Sequence, residues 1–416
     1  MKVLSLFDGM ACGMIAMQLA GIEVDRYVAY EIDKYAVKTS THNFHMIEHR
    51  GDVFKADFTE FEGFDFLVGG SPCTYWSIAQ KNNRETEASG MGWELFSQYV
   101  RALHEAKPRF FVYENNKSMS KAIRASIDEA FGFEAICINS ALVSAQNRQR
   151  LYWVGKRNED GTYSKVSIEQ PADRGILLKD VLESGCALRD KQGTIDANYF
   201  KGGNYSNPKK QSGQRMCVAE PVGIGYRGRM DDGKWVKQYE SNGTGKANAI
   251  TTAQTDSMVA EPIRVGALPR PNGELSTSQA FRVYSVDGKS VNITAGGGGA
   301  GGKTGLYAVP IHYATICEWD ESSKPIKAIS AADGKTYTVY EVKDGKITIK
   351  GKQYPIKLID GYYIIRKLTV RECMRLQTVP EWYEFPVSDS QAYKMLGNGW
   401  TCLIIQHLLE GCMNGN

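Results

Sequence analysis

Along the first 157 residues the hydrophobic positions fall in short uninterrupted runs, each closed by glycine, proline or an acid. Lys2 to Phe7 reads as a strand, Asp8 to Gly13 as a glycine-containing turn, and Met14 to Leu19 as the start of a helix. Val24 to Tyr30 reads as the next strand and runs into Glu31. Phe64 to Val68 is a third run, broken abruptly by Gly69, Gly70 and Pro72. Phe110 to Tyr113 is a fourth and leads into Glu114. Strands separated by helical stretches predict an open α/β sheet, which gathers its chemistry at the carboxyl ends of its strands.

The pattern changes after residue 157. Residues 158–365 hold 27 of the 42 glycines, and turns recur at short intervals between β-rich pieces. Val218-Ala-Glu-Pro221, Val259-Ala-Glu-Pro262 and Tyr307-Ala-Val-Pro310 return at spacings of 41 and 48, which suggests repeated hairpin modules. Gly296 to Gly302, interrupted only by Ala300, is a loop suited to flexibility or close approach. Lys335 to Lys357 alternates polar and apolar residues around Asp344-Gly345, a hairpin signal.

Within this frame Cys73 and Glu114 are presented at strand ends, and a thiol beside a proton-carrying carboxyl is a covalent-catalysis pair. Either residue alone reads more readily as a buried small hydrophobe or a solvated acid. The first turn lacks the GxGxxG pattern, so a dinucleotide is not its natural ligand. Glu31 lies 22 residues beyond Gly9, a spacing suited to ribose hydroxyls, and Asp52 could accept from an adenine amino group. Together these acids suggest an adenosine ligand without a diphosphate.

Composition narrows the classes. No stretch approaches a membrane-spanning length of apolar residues, and the chain opens directly in a strand, so neither a membrane span nor a signal peptide is expected. Nine cysteines without a repeating spacing read as reduced thiols of a cytosolic compartment. His42, His45 and His49 lack an acid or cysteine at ligand spacing and read as a polar helix face, so no metal is expected. The net charge of +3 is weak evidence for nucleic acid. Residues 151–365, however, carry 29 Lys and Arg against 23 Asp and Glu, so the middle segment is the basic part.

The ordered motifs resemble those of the DNA cytosine-5 methyltransferases of bacteria and phages. LSLFDGMACG resembles that family's S-adenosylmethionine loop, YEIDKYA its ribose-binding segment, GDV its adenine segment and GGSPC its nucleophile loop. YENN resembles its ENV motif, QNRQR fits QxRxR, RKLTVRECMRLQ resembles its late helix, and LGNGW its closing GN motif. LSLFDG, GGSPC and the tryptophan after GN read closest to the animal de novo methyltransferases. The similarity covers residues 1–157 and 366–416.

The resemblance implies a Rossmann-like α/β methyltransferase fold with a mostly parallel sheet. Residues 1–157 and 366–416 would form the catalytic domain, and 158–365 an inserted β-rich target-recognition domain. It assigns Cys73 as the thiolate that attacks cytosine C6, Glu114 as the partner of N3 and the exocyclic amine, and Arg148 and Arg150 as the basic pair near the base, Arg150 being the donor to O2. Arg148 and Arg150 alternate within Ser144 to Leu151 and would share a face if that run is extended. S-adenosylmethionine would meet Phe7, Asp8, Gly9, Cys12, Gly13, Glu31, Ile32, Asp52, Val53, Pro72, Leu95, Asn398, Gly399 and Trp400. Double-stranded DNA would meet Ser77, Arg227, Arg229, Gly298 and Gly299, with the target base flipped out of the duplex. The implied protein is a cytoplasmic monomer, nucleoid-associated through DNA, in a bacterial or phage-infected cell. Asn116 stands where the family has Val, and Cys12 where it has a smaller residue. An RNA cytosine-5 methyltransferase and a catalytically silent DNA-binding relative stay open as alternatives, as does a derivative of S-adenosylmethionine as donor.

Overall fold

In the computed structural model the described residues are 1–77, 84–183, 192–193, 224–231, 234–241, 264–267, 282–284, 306–310, 314–319, 325–330, 334–355, 360–366 and 368–414. The chain divides into two compact units. One comprises Met1–Val143, Arg148–Arg174 and Met374–Asn416; the other comprises Ser144–Asn147 and Gly175–Cys373.

The first unit is built on strands β1 (Lys2–Leu6), β2 (Arg26–Tyr30), β3 (Ile47–His49), β4 (Phe66–Gly69), β5 (Phe110–Asn116) and β6 (Ile136–Asn139). After the two-residue strand β7 (Gln146–Asn147), which lies in the other unit, it continues with β8 (Gln149–Arg157) and β9 (Tyr163–Lys165). The sheet order is β3-β2-β1-β4-β5-β8-β6, with β9 on β8. β3, β2, β1, β4 and β5 pair in parallel, and β8 runs antiparallel to β5, β6 and β9. The central strands are largely apolar and, apart from exposed Lys2, buried on both faces, as a sheet covered by helices requires.

Helices α1 (Cys12–Leu19), α2 (Lys34–Asn43), α3 (Gly90–Ala106) and α4 (Lys121–Phe131) follow the strands as crossovers. Within α5 (Val370–Leu376) the chain passes back into the first unit, where α6 (Asp389–Asn398) and α7 (Cys402–Asn414) complete it. Under β4 and β5 the core is aromatic: Trp76, Phe96, Tyr99, Tyr113, Phe131 and Trp153 are buried and in ring contact. The order reverses between β1 and β4, so the crevice beyond their carboxyl ends is the switch point where open α/β sheets bind ligands.

Two local expectations are corrected. Glu114 does not end its strand: β5 runs on to Asn116 because β8 pairs with it residue for residue, Glu114 opposite Tyr152 and Asn116 opposite Arg150. A long antiparallel partner thus carries a polar stretch of low strand propensity. The histidines do not share a helix face. His42 is on α2, His45 follows it, and His49 lies in β3 with its ring bonded to the Ser40 hydroxyl. Among the described residues no His, Cys, Asp and Glu group could hold a metal ion. Among them, too, no helix is long and apolar enough to cross a membrane.

The second unit carries a mostly antiparallel sheet. From edge to edge its strands are Arg264–Ala267, Arg282–Tyr284, Leu306–Pro310, Gly361–Arg366, Thr336–Lys343, Pro325–Ser330 and Ala314–Trp319. Lys346–Ile349 pairs with Thr336–Lys343 across a two-residue turn, in which Asp344 and Gly345 both take left-handed conformations. The expected hairpin at Asp344-Gly345 is therefore present, with the turn geometry that suits a right-handed strand twist. Ile224–Asp231 and Lys234–Ser241 form a further hairpin, with Arg227 and Arg229 opposite Gln238 and Val236. Of the repeats, Tyr307 to Pro310 lies in a strand. The repeats at 218–221 and 259–262, and Gly298 and Gly299, lie outside the described residues.

Candidate functional site

Two loops leave the sheet at the switch point. The first follows β1. Phe7 and Ala11 both adopt left-handed backbone conformations, at φ of 59° each, which non-glycine residues hold only when their surroundings impose it. Gly9 shares that conformation without cost. The turn is closed from outside by Glu31 at the end of β2. One carboxylate oxygen accepts from the Gly9 amide at 2.8 Å, and the other accepts from the amides of Ile32 at 2.8 Å and Asp33 at 2.7 Å. Ile32 next to it is 79% exposed.

Asp8 is buried in the same turn. Its Oδ1 accepts from the Ser5 hydroxyl at 2.6 Å and the Tyr27 hydroxyl at 2.8 Å, while Oδ2 is buried without a hydrogen-bond partner. Burial pushes its carboxyl up from 3.8 to about 6, against the two hydroxyl bonds and with help from the nearby charge of Glu31. Asp52 caps a short 3-10 turn by accepting from the Phe54 amide at 3.0 Å, and Val53 beside it is buried. Phe7 and Leu95 pack as partly buried residues against the aromatic core.

The second loop follows β4. Gly69 sits where a Cβ would stand 2.7 Å from the Leu6 carbonyl and 2.9 Å from the Tyr99 ring, so only glycine fits. Pro72 and Cys73 open a 3-10 turn, and the Cys73 carbonyl accepts from the amides of Trp76 at 3.2 Å and Ser77 at 2.9 Å. The thiol is half-buried. Asn116 on β5 donates to the Cys73 carbonyl at 3.4 Å, and Asn115 donates to the Ser71 carbonyl at 3.2 Å, so the polar end of β5 ties down the loop. Beyond it, Trp76 donates to Glu85 at 3.0 Å, and Arg84 donates to the carbonyls of Trp76 and Ser118.

Glu114 lies beside this loop, each of its carboxylate oxygens bonded to a different side chain. Arg150 Nε contacts Oε1 at 3.0 Å, with both side chains only 11% exposed, and Trp400 Nε1 donates to Oε2 at 3.1 Å. The Arg148 guanidinium reaches elsewhere, donating to the carbonyls of Gly397 at 3.3 Å and Gly399 at 2.8 Å. It is buried, and burial followed by repulsion from Arg150 pushes it down to about 10, while the charges of Glu114 and Cys73 act in the other direction. The extended run expected over 144–151 is broken at Arg148, between β7 and β8, and the two arginines take separate partners.

The C-terminal residues close the site. A Cβ on Gly399 would lie 3.1 Å from the Cys12 sulfur, and one on Gly13 would lie 3.8 Å from the Trp400 ring. Asn398 ends α6 exposed, and Tyr383 donates to the Met10 carbonyl at 2.7 Å. Gln377 donates to the carbonyls of Leu396 and Gly399 and accepts from Thr401, whose hydroxyl also meets that of Ser140. This network and the Trp400–Glu114 bond had no local sequence signal, since they join residues far apart in the chain.

A half-buried thiol and an arginine-held carboxylate, set at the switch point of an α/β sheet beside a glycine-bearing turn, define a Rossmann-like transferase. Residues 1–414 match the family of C-5 cytosine-specific DNA methylases, and the chain belongs to that family. It is a DNA cytosine-5 methyltransferase. It is 28% identical over 509 residues to the orphan methyltransferase M.Rho11sI of Bacillus phage rho11s, and 26% identical over 448 residues to M.SPRI of Bacillus phage SPR. Both alignments cover 99% of this chain and 97% of the relative. The type II methyltransferase M.HgiCI of Herpetosiphon aurantiacus is 23% identical, over 98% of this chain and 97% of that protein. A mutant of Spodoptera frugiperda DNMT2 aligns over 99% of both chains with a TM-score of 0.49 and 14% identity, too distant to add to the assignment.

Proposed function

We propose that the enzyme methylates C5 of a cytosine flipped out of duplex DNA, through a covalent bond between Cys73 and C6 of the base. The observation that carries this reading is the arginine-held Glu114 carboxylate beside the Cys73 turn. Cytosine C5 is too weak a nucleophile to take a methyl group directly. Addition of the Cys73 thiolate at C6 gives C5 enamine character, with the ring's added electron density drawn toward N3. Glu114 brings a proton to N3 and accepts from the exocyclic amine, so the density gathered at N3 is neutralised where it develops. Arg150 holds Glu114 and is the arginine we assign as donor to cytosine O2. After transfer, the C5 proton passes to solvent, its bonding electrons re-form the C5–C6 double bond, and the Cys73 thiolate leaves C6, which restores aromaticity. These groups cannot reach a stacked base, so the base must leave the helix.

The β1 and β2 loops suit S-adenosylmethionine, which when bound supplies an electrophilic methyl group on a sulfonium. Glu31 is set for the ribose, Asp52 and Val53 for the adenine edge, and Phe7, Ile32 and Leu95 for its faces. Asp8, Gly9, Cys12, Gly13, Pro72, Asn398, Gly399 and Trp400 border the remainder. The basic segment 158–365, with Arg227, Arg229 and the glycines 298 and 299, is the part that reads DNA, alongside Ser77. We take the working form to be a monomer in the cytoplasm of a bacterial or phage-infected cell, on double-stranded DNA.

The test is mechanistic trapping. Fluorine at C5 cannot leave as a cation, so genomic DNA containing 5-fluorocytosine should form an adduct that needs S-adenosylmethionine, survives denaturation and maps to the Cys73 peptide. Cys73→Ser should form none, because a serine hydroxyl without a base is a poor nucleophile. Methyl transfer by Cys73→Ser at the wild-type rate, or transfer to transfer RNA in place of DNA, would refute the reading.

A further inference from the structure

Glu114 must present its carboxylate in one orientation as the base arrives, yet a glutamate side chain is rich in rotamers. Arg150 alone does not fix it, since one contact at Oε1 leaves the carboxylate free to turn about that bond. The second constraint comes from Trp400, whose indole N–H donates to Oε2 at 3.1 Å. An indole N–H can only donate, so it can bind the carboxylate and cannot take a hydrogen bond from the amine of an incoming base. The bond runs close to the Gly70 backbone: a Cβ there would lie 3.4 Å from Trp400 Nε1 and 3.1 Å from Glu114 Oε2, so any side chain at Gly70 would crowd it. A Cβ on Gly13 would meet the far edge of the indole at 3.8 Å, ordinary contact distance.

We propose that Trp400 is a positioning residue for Glu114, fixing the plane of its carboxylate through the indole N–H, a role separate from any contact its ring makes with the methyl donor. The inference rests on the methyltransferase reading above. Trp400→Phe keeps an aromatic ring and removes the donor. Single-turnover transfer of labelled methyl groups from S-adenosylmethionine to unmethylated bacterial genomic DNA should slow by about 10-fold, the scale of one lost hydrogen bond to a charged group. Calorimetric affinity for S-adenosylmethionine should stay within about two-fold. The deciding readout is a double-mutant cycle, because residues acting through one group are not additive. In a Glu114→Gln background the same replacement should change the rate less than about two-fold. If Trp400→Phe fails to fold, 3-benzothienylalanine at position 400 removes the N–H at nearly constant shape and takes its place in the cycle. An unchanged rate, a rate that falls in step with cofactor affinity, or an equal fall in the Glu114→Gln background would each overturn the proposal. A wild-type protein that transfers no methyl group would instead overturn the reading beneath it.

Discussion

Asp8 offers a direct measure of what the β1 loop costs the fold. Its carboxyl is buried, carries hydroxyl bonds on Oδ1 alone, and is raised from 3.8 to about 6, chiefly by burial. At 1.36 kcal/mol per pKa unit, ionising Asp8 costs about 3 kcal/mol more in the folded chain than in the unfolded one. The folded pKa lies above the unfolded value, so the folded state holds the extra proton between roughly pH 4 and 6. The associated stability is complete below pH 4, is lost as pH rises through 6, and stays lost above. Asparagine keeps the shape and an acceptor for Ser5 and Tyr27 but does not ionise. Asp8→Asn should therefore stabilise the protein by about 3 kcal/mol at pH 7.5 and by roughly half of that at pH 5. Urea unfolding of both proteins across this range measures the difference. A difference is needed because carboxylates such as Glu48, lowered by its bond from Arg26, impose the opposite slope on both. A gain independent of pH, or a loss at pH 7.5 as large as at pH 5, would refute the argument.

Arg148→Met should destabilise the first unit by about 3 kcal/mol, because it removes a buried charged donor from the Gly397 and Gly399 carbonyls; urea unfolding that shows a loss of less than about 1 kcal/mol would refute this. Glu31→Ala should weaken S-adenosylmethionine binding by roughly 1–3 kcal/mol and leave the Gly9 amide without its acceptor. Calorimetry showing unchanged affinity would remove Glu31 from the site.

The α/β class was legible because it depends on local pattern. Apolar runs that end in glycine or an acid became β1, β2 and β4 within two residues at each end, and β5 with its end three residues further on. The boundary errors have one cause, since a strand ends where its neighbour stops pairing. β5 extends to Asn116 because β8 accompanies it, although Glu-Asn-Asn alone reads as a strand end. The Asp344-Gly345 turn was legible for the opposite reason: its left-handed conformations follow from the types of two adjacent residues. The histidine spacing misled because i, i+3, i+7 has meaning only inside a helix, and α2 stops at Asn43.

The groups at the candidate site were named by motif, but their arrangement follows from contacts no local rule encodes. Arg148 and Arg150, two residues apart, serve a carbonyl pair at 397 and 399 and a carboxylate at 114. Left-handed Phe7 and Ala11 and the unpaired Asp8 oxygen fall together within residues 7–11, whereas left-handed Lys107, Asp344, Lys350 and Thr378 lie elsewhere in the chain. A segment that were only structural would lose such costs readily, for Asp8→Asn or a glycine at position 11 would relieve them. Their concentration at the end of β1, opposite the Cys73 loop, fits a turn shaped for a ligand rather than for stability. That is why the pH-dependent gain expected of Asp8→Asn bears on function as well as on folding.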